Sequence, residues 1–280
     1  MNNLYMSNIE LNYVANREET IENFMNFLGF SSSNIYQEIN AGNVYKNLTK
    51  IRDKKIVISS GDQIKIILNN EENELPLNAN PISIIYEDEY ILIVDKPQYI
   101  HVEPYKKGTN NNLASMVANY FFEKNIPSKV HLVNRLDRCT SGLVIIAKNR
   151  YIKNLFSSTK IIKKYHTKIE GKIEEKNTIE ISIGKEPFSN SRIVSKEGKL
   201  AITKYETISY DEKNDVSILD VEIPTGRTHQ IRLSFSSIGH PLVGDTLYGS
   251  KRKADIYLRS YYLKFNHPIT NEEVELIVEG

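Results

Sequence analysis

From Tyr165 to Ile223 the chain offers four strand-like segments in succession: Tyr165–Ile173, Thr178–Ile183, Ala201–Ser209 and Val216–Ile223. Little between them has a helix's period, and parallel neighbours need a crossover of a dozen or more residues. A regular βαβ nucleotide fold is therefore disfavoured. Ile82–Tyr86 and Tyr90–Val94 alternate around Glu87-Asp88-Glu89 as a hairpin ended by Pro97, and Leu143–Ala147 is a further strand. Leu113–Lys124 and Thr228–Ile238 have helical spacing, the second directly after Pro224-Thr225-Gly226. The expectation is an α+β domain on a large, mostly antiparallel mixed sheet with flanking helices.

Residues 18–69 read as a separate small α/β unit. Thr20–Leu28 and Ser31–Ile39 look like short amphipathic helices, followed by strand-like Ile56–Ser59 and Gln63–Leu68 around the turn Ser60-Gly61-Asp62. Asn69–Pro81 is polar and acidic, a linker composition. The expected organisation is a small module over 1–69, an acidic linker over 70–81 and a main domain over 82–280. A chain of 280 residues, 40% hydrophobic and 25% charged, is long enough for both. Its single Cys forms no internal disulfide. The N-terminus lacks a basic stretch followed by an apolar one, and the longest clean apolar run is Leu143–Ala147. A soluble, cytoplasmic, monomeric protein without membrane contact is expected.

Net charge is only +1, yet charge is unevenly spread. Lys148–Lys172 holds eight basic residues and one acid, and Lys251–Lys264 holds five and one. Either run alone reads as a solvated face; two of them flanking the motifs below point to a polyanionic partner.

Val133-Asn134-Arg135-Leu136-Asp137-Arg138-Cys139-Thr140-Ser141-Gly142 sets an Asp between two Arg in a loop that enters an apolar strand. This is either a reactive carboxylate or a structural ion pair. Pro224-Thr225-Gly226-Arg227-Thr228-His229-Gln230-Ile231-Arg232 sets two Arg around a turn and helix start, where guanidinium forks and backbone N–H groups can meet an anion. Solvated arginines on an ordinary helix are the competing reading. A glycine-punctuated loop, Gly239–Asp245 and Tyr248-Gly249, follows. The six His form no metal-ligand pair, no phosphate-loop or dinucleotide fingerprint occurs, and Cys139 reads as a packed thiol. No metal and no cofactor are expected.

Together these stretches resemble the RluA-type pseudouridine synthases. The matching pieces are Arg135–Asp137, Thr140–Gly142, Gly226–Arg232, Gly239–Asp245 and Tyr248-Gly249, with Tyr86–Asp88, Ile91–Val94, Lys96-Pro97, Lys163–Tyr165, Leu258, Leu263, Phe265 and His267-Pro268. They run in one order from about Ile82 to Val278. The sequence departs from the family at Asn134 and Ser234 (usually His), at Cys139 (usually acidic) and at Arg259 (usually His after Leu). None of these removes the carboxylate or the arginines.

The resemblance implies the pseudouridine synthase fold and cofactor-free isomerisation of uridine in RNA, with ribosomal RNA as the family-level substrate. It makes Asp137 the catalytic carboxylate, acting by attack at C1′ or proton removal at C2′. Arg135 would fill the space a flipped uridine leaves, Tyr165 would stack on the uracil and Leu258 would line the pocket. Arg232 is the chosen partner for Asp137, with Arg227 as the alternative or a phosphate contact. Residues 18–69 resemble the S4 RNA-binding module through Ile39–Val44, Asn47 and Gly61–Ile64, although Glu19–Tyr45 carries no Lys or Arg. Both an RNA role and a docking role stay open for this S4-like module. The competing functions are a non-catalytic RNA-binding or ribosome-assembly protein and a nucleoside hydrolase; the second lacks the paired carboxylates that chemistry needs.

Overall fold

The computed structural model describes residues 9–187, 189 and 191–279. Residues 1–8, read above for a leader, lie outside the described residues. The chain divides into two compact units, one of residues 1–93, 103–134 and 145–159, the other of 94–102, 135–144 and 160–280.

The first unit begins with strands β1 (Glu10–Val14) and β2 (Glu19–Thr20), then helices α1 (Ile21–Phe27) and α2 (Ser32–Ala41). Thr20 and Ser31 cap the two helices by accepting from Asn23 N and Asn34 N, and Gly42 ends α2 in the left-handed conformation. Strands β3 (Val44–Lys46), β4 (Thr49–Lys50), β5 (Val57–Ile58) and β6 (Gln63–Ile67) follow. A four-stranded sheet takes them in the order β1-β6-β3-β4. Leu11, Val44, Ile64 and Ile66 bury its inner face, alternating with polar residues on the outer one. Residues 70–81 carry no regular element but are tied down: Glu71 N donates to Pro127 O at 3.0 Å, and Asn78 Nδ2 donates to Asn110 O at 2.8 Å.

Strands β7 (Ser83–Glu87) and β8 (Ile91–Lys96) come next, then α3 (Leu113–Glu123), β9 (His131–Leu132), β10 (Ser141–Ala147) and α4 (Arg150–Leu155). Ile91–Val94 and Leu143–Ala147 are fully buried, as expected of strands covered on both faces. The second unit adds β11 (Ile162–Glu170), β12 (Lys176–Lys185), β13 (Arg192–Val194), β14 (Lys199–Asp211), β15 (Val216–Glu222), α5 (Gln230–Ser237), β16 (Leu258–Asn266) and β17 (Glu273–Ile277). The large sheet runs β13-β12-β14-β15-β11-β16-β10-β8-β7, with β17 beside β16 and β9 beside β10. Its pairing is antiparallel from β13 to β16, and β10–β16 is parallel. This is the expected α+β class with a mixed, mostly antiparallel sheet. Along β14, β15 and β11, Ala201, Thr203, Tyr205, Leu219, Val221, Tyr165, Thr167 and Ile169 alternate into the core. No described helix is long and apolar enough to cross a membrane.

Candidate active site

The loop before β10 is shaped by its partner strand. Thr140 N donates to Asp137 O at 3.0 Å, closing a turn that carries the Asp137 side chain. Two residues on, Gly142 enters β10 at φ 112° opposite Ser260 of β16. A Cβ there would lie 2.1 Å from Ser260 O, so only glycine admits the approach. The Thr-Ser-Gly of the motif is thus fixed by the parallel strand pair.

The end of β8 clamps the same loop. Lys96 is fully buried and its Nζ donates to Pro97 O and Ile100 O, both at 2.9 Å, and to Arg138 O at 3.5 Å. Burial pushes its pKa down to about 8. Gln98 Nε2 donates to Cys139 O at 2.8 Å and also to Ile256 O, while the Tyr99 hydroxyl donates to Asp255.

The turn into α5 is fixed by Gln230, which begins the helix. Its Oε1 accepts from Arg227 N at 2.9 Å and Thr225 Oγ1 at 3.0 Å; its Nε2 donates to Ile202 O at 2.8 Å. One turn further, Arg232 is buried and forks onto Asp245, Nε to Oδ2 at 2.7 Å and Nη2 to Oδ1 at 2.8 Å. Its third nitrogen, Nη1, stands 4.0 Å from Asp137 Oδ2. Burial, the largest single influence, works against the guanidinium's charge, but the Asp245 bond together with the nearby Cys139, Asp245 and Asp137 raises the Arg232 pKa.

The Tyr248 ring lies 5.0 Å from the Arg232 guanidinium carbon, and its hydroxyl accepts from Arg192 N at 2.9 Å. His229 Nδ1 is 2.8 Å from that hydroxyl, held there by a left-handed backbone at φ 56°. Burial pushes the His229 imidazole down, with the Asp137 carboxylate partly opposing it. Burial pushes the Cys139 thiol pKa up, although Arg232 opposes this.

Of the residues singled out above, Asp137 and Arg232 come together. Tyr165 is buried in β11, directly opposite Ser260 of β16; burial raises its pKa, and the Asp137 carboxylate also acts to raise it. Leu258 is buried on β16, two residues before Ser260. Arg227 is exposed, its Nε donating to Leu200 O at 3.1 Å, and Arg135 is exposed in the loop. Lys163 is half-buried on the face of β11 that carries Tyr165, with no carboxylate partner among the described residues; burial pushes its pKa down. Lys148, grouped above with the basic run, is buried and pairs with Glu87 at 2.8 Å, so it does not belong to a solvated basic face.

The family departures have local partners. Asn134 Oδ1 accepts from Ile145 N at 2.7 Å, and the buried Ser234 hydroxyl meets Thr203 Oγ1 at 3.0 Å. Arg259 forks onto Asp95 at 3.2 and 2.8 Å. Sequence reasoning assigned no role to Asp245, Lys96 or Tyr248, although all three stand inside quoted motifs.

Comparison with known proteins identifies the family. Residues 90–237 match the family described as RNA pseudouridylate synthase. An uncharacterized RNA pseudouridine synthase of Bacillus subtilis, YjbO, is 34% identical over 79% of this chain and 81% of its own length. The ribosomal large subunit pseudouridine synthase D of Buchnera aphidicola is 33% identical over 88% of this chain and 85% of its own. The structure of human RNA pseudouridylate synthase domain containing 1 superposes with a TM-score of 0.60 at 24% identity, covering 73% of this chain and 86% of that one, a likeness of fold.

Proposed function

The chain belongs to the RNA pseudouridylate synthase family, and from that premise we propose that Asp137 opens the bond between ribose and uracil in a flipped uridine. The enzyme is an RNA pseudouridine synthase. The reaction breaks N1–C1′ and forms C5–C1′; the base gains a proton at N1 and loses one at C5, so atoms balance without a co-reactant.

The observation that carries the assignment is a carboxylate 24% exposed beside a guanidinium 8% exposed, whose other edge Asp245 holds. A cation fixed in this way cannot swing out to solvent, so the guanidinium keeps one position beside the Asp137 carboxylate. Two routes are open to them: addition to C1′, as in a retaining glycosidase, or removal of the C2′ proton. Either leaves uracil as a leaving group to be turned in place.

Extruding the uridine costs a few kcal/mol, which side chains must offset. We assign Arg135 to the space the nucleotide leaves, Tyr165 to the face of the uracil and Leu258 to the pocket wall. Arg227 and Lys163, cations without an acid partner among the described residues, suit the neighbouring phosphates. The name of the Buchnera relative supports large-subunit ribosomal RNA as the substrate, and with it a cytoplasmic location. Mapping pseudouridines in ribosomal RNA from wild-type and deletion strains tests that part.

Asp137→Asn tests the chemistry. Tritium release from [5-³H]uridine RNA should fall to background while RNA affinity and melting temperature stay near wild type. A folded variant that still forms pseudouridine would overturn the assignment. If Asp137 only held the loop, activity, binding and stability would fall together, by about 3–5 kcal/mol in stability.

A further inference from the structure

Asp137 and Arg138 are neighbours in the chain whose side chains part company. Asp137 turns inward, its Oδ2 4.0 Å from the buried Arg232. Arg138 is exposed, and its guanidinium carbon lies 5.5 Å from the centroid of the Tyr99 ring. Its N–H groups meet no acid and no other acceptor among the described residues. Lys96 Nζ donates to the Arg138 carbonyl at 3.5 Å, so this open charge projects from a held backbone. Arg138 lies between the matched pieces Arg135–Asp137 and Thr140–Gly142, at a position the motif leaves unspecified.

The ring under the guanidinium stands on a strained backbone. Tyr99 has a φ of 64°, an outlier for a bulky aromatic residue. Such strain persists only where the surroundings impose it, and it gathers at functional positions. Here the surroundings are identifiable. Gln98 Nε2 donates to Cys139 O at 2.8 Å and to Ile256 O, while the Tyr99 hydroxyl donates to Asp255. Tyr99 is thereby tied at its tip and through the residue before it, yet its ring stays 41% exposed. A ring that only filled space would not need a strained backbone to hold it at the surface.

A guanidinium over a ring keeps its N–H edge free, and that planar fork matches a phosphate. The ribose on which Asp137 acts carries a phosphate on either side. An outward cation one residue from an inward carboxylate suits a nucleotide whose sugar enters while its phosphate stays outside.

We propose that Arg138, held over Tyr99, binds one of the two phosphates flanking the target ribose and so fixes the sugar against Asp137, with Tyr99 as a positioning residue. This rests on the assignment of Asp137 above and adds a contact distinct from Arg227 and Lys163.

The test uses the full chain in excess over total [5-³H]uridine-labelled RNA from the deletion strain, which contains the target whichever RNA carries it. The readout is the enzyme concentration that gives half the maximal single-turnover rate of tritium release, measured across a range of salt. Arg138→Gln should raise this half-point about tenfold or more and lower its log–log salt slope by about 0.7, the loss of one phosphate contact. Arg138→Lys should keep the slope, because the charge remains, and still raise the half-point, because the fork is lost. Tyr99→Leu should raise the half-point by itself and add nothing to Arg138→Gln. An unchanged half-point and slope in folded Arg138→Gln would overturn the proposal. A lowered melting temperature with the slope intact would make Arg138 a staple of the loop and overturn it equally. Additive effects of the two substitutions would overturn the part given to Tyr99. Should Tyr99→Leu fail to fold, the two substitutions at the exposed Arg138 still decide the contact. Tritium released by Asp137→Asn at the wild-type rate would instead sink the catalytic reading, and the slopes at Arg138 would still decide this one.

Discussion

The loop at 135–142 and the β3–β4 hairpin both bend the chain through positive φ, and they do so in opposite ways. In the loop the position is a glycine pressed against Ser260, and the carbonyls of Asp137, Arg138 and Cys139 accept from Thr140 N, Lys96 Nζ and Gln98 Nε2. In the hairpin it is a leucine, strained and in water, beside lysines whose charges are exposed. The first arrangement holds one carboxylate to a fixed place, as bond-breaking demands. The second is held by the bonds of Asn47 with Asp62 and Gln63, and what it presents is a strained apolar side chain 85% exposed.

Removing the brace from the first region should have the largest effect. Asp245→Asn leaves Arg232 buried with Asp137 as its only acid neighbour among the described residues, at 4.0 Å. Stability should fall by about 3–5 kcal/mol, and turnover by on the order of a hundredfold at temperatures where the variant is folded. Full activity in a folded Asp245→Asn protein would mean that the brace is dispensable.

The clamp should give a smaller effect with a pH signature. Lys96 has a folded pKa of about 8 against an ordinary 10.5, so between those values the unfolded chain binds more protons. Stability carried by this group therefore rises with pH across that window and is flat below it. Relative to Lys96→Met, wild type should gain roughly 1–3 kcal/mol from pH 8 to 10.5. Parallel stability curves for the two proteins would show that the clamp does not titrate there.

The hairpin should give the smallest change, and of opposite sign. Leu48→Gly relieves a left-handed leucine and should stabilise the protein by about 0.5–1 kcal/mol. A variant whose melting temperature does not rise would remove the contrast between the two regions.

The regions also differ in how much of them could be read from the chain. Local devices were legible: two short helices starting at Thr20 and Ser31, a helix over Leu113–Lys124, and the strands that became β14 and β15. The motifs carried Asp137 and Arg232 as candidates. Asp245 was not legible as the brace, because a fork across 13 residues depends on how α5 and the following loop fold back. Lys96 stood in a quoted motif without a role, which appears only when three carbonyl groups are seen around it. Lys148 sat within a basic run, and only Glu87, 61 residues away, reveals that its charge is spent indoors. Strands β16 and β17 were not anticipated, since Leu258–Asn266 mixes aromatic and basic residues inside a second basic run.

The contact between Gly142 and Ser260 also sets an order of events. Chains emerge N-terminus first, and pairings between distant residues form slowly. Asp137 is made early, but the wall its loop bends against is not made until β16 has been synthesised. A newly made enzyme is therefore silent for most of its own translation, and a proteolytic cut before Leu258 should return it to that silence with its Asp137 intact.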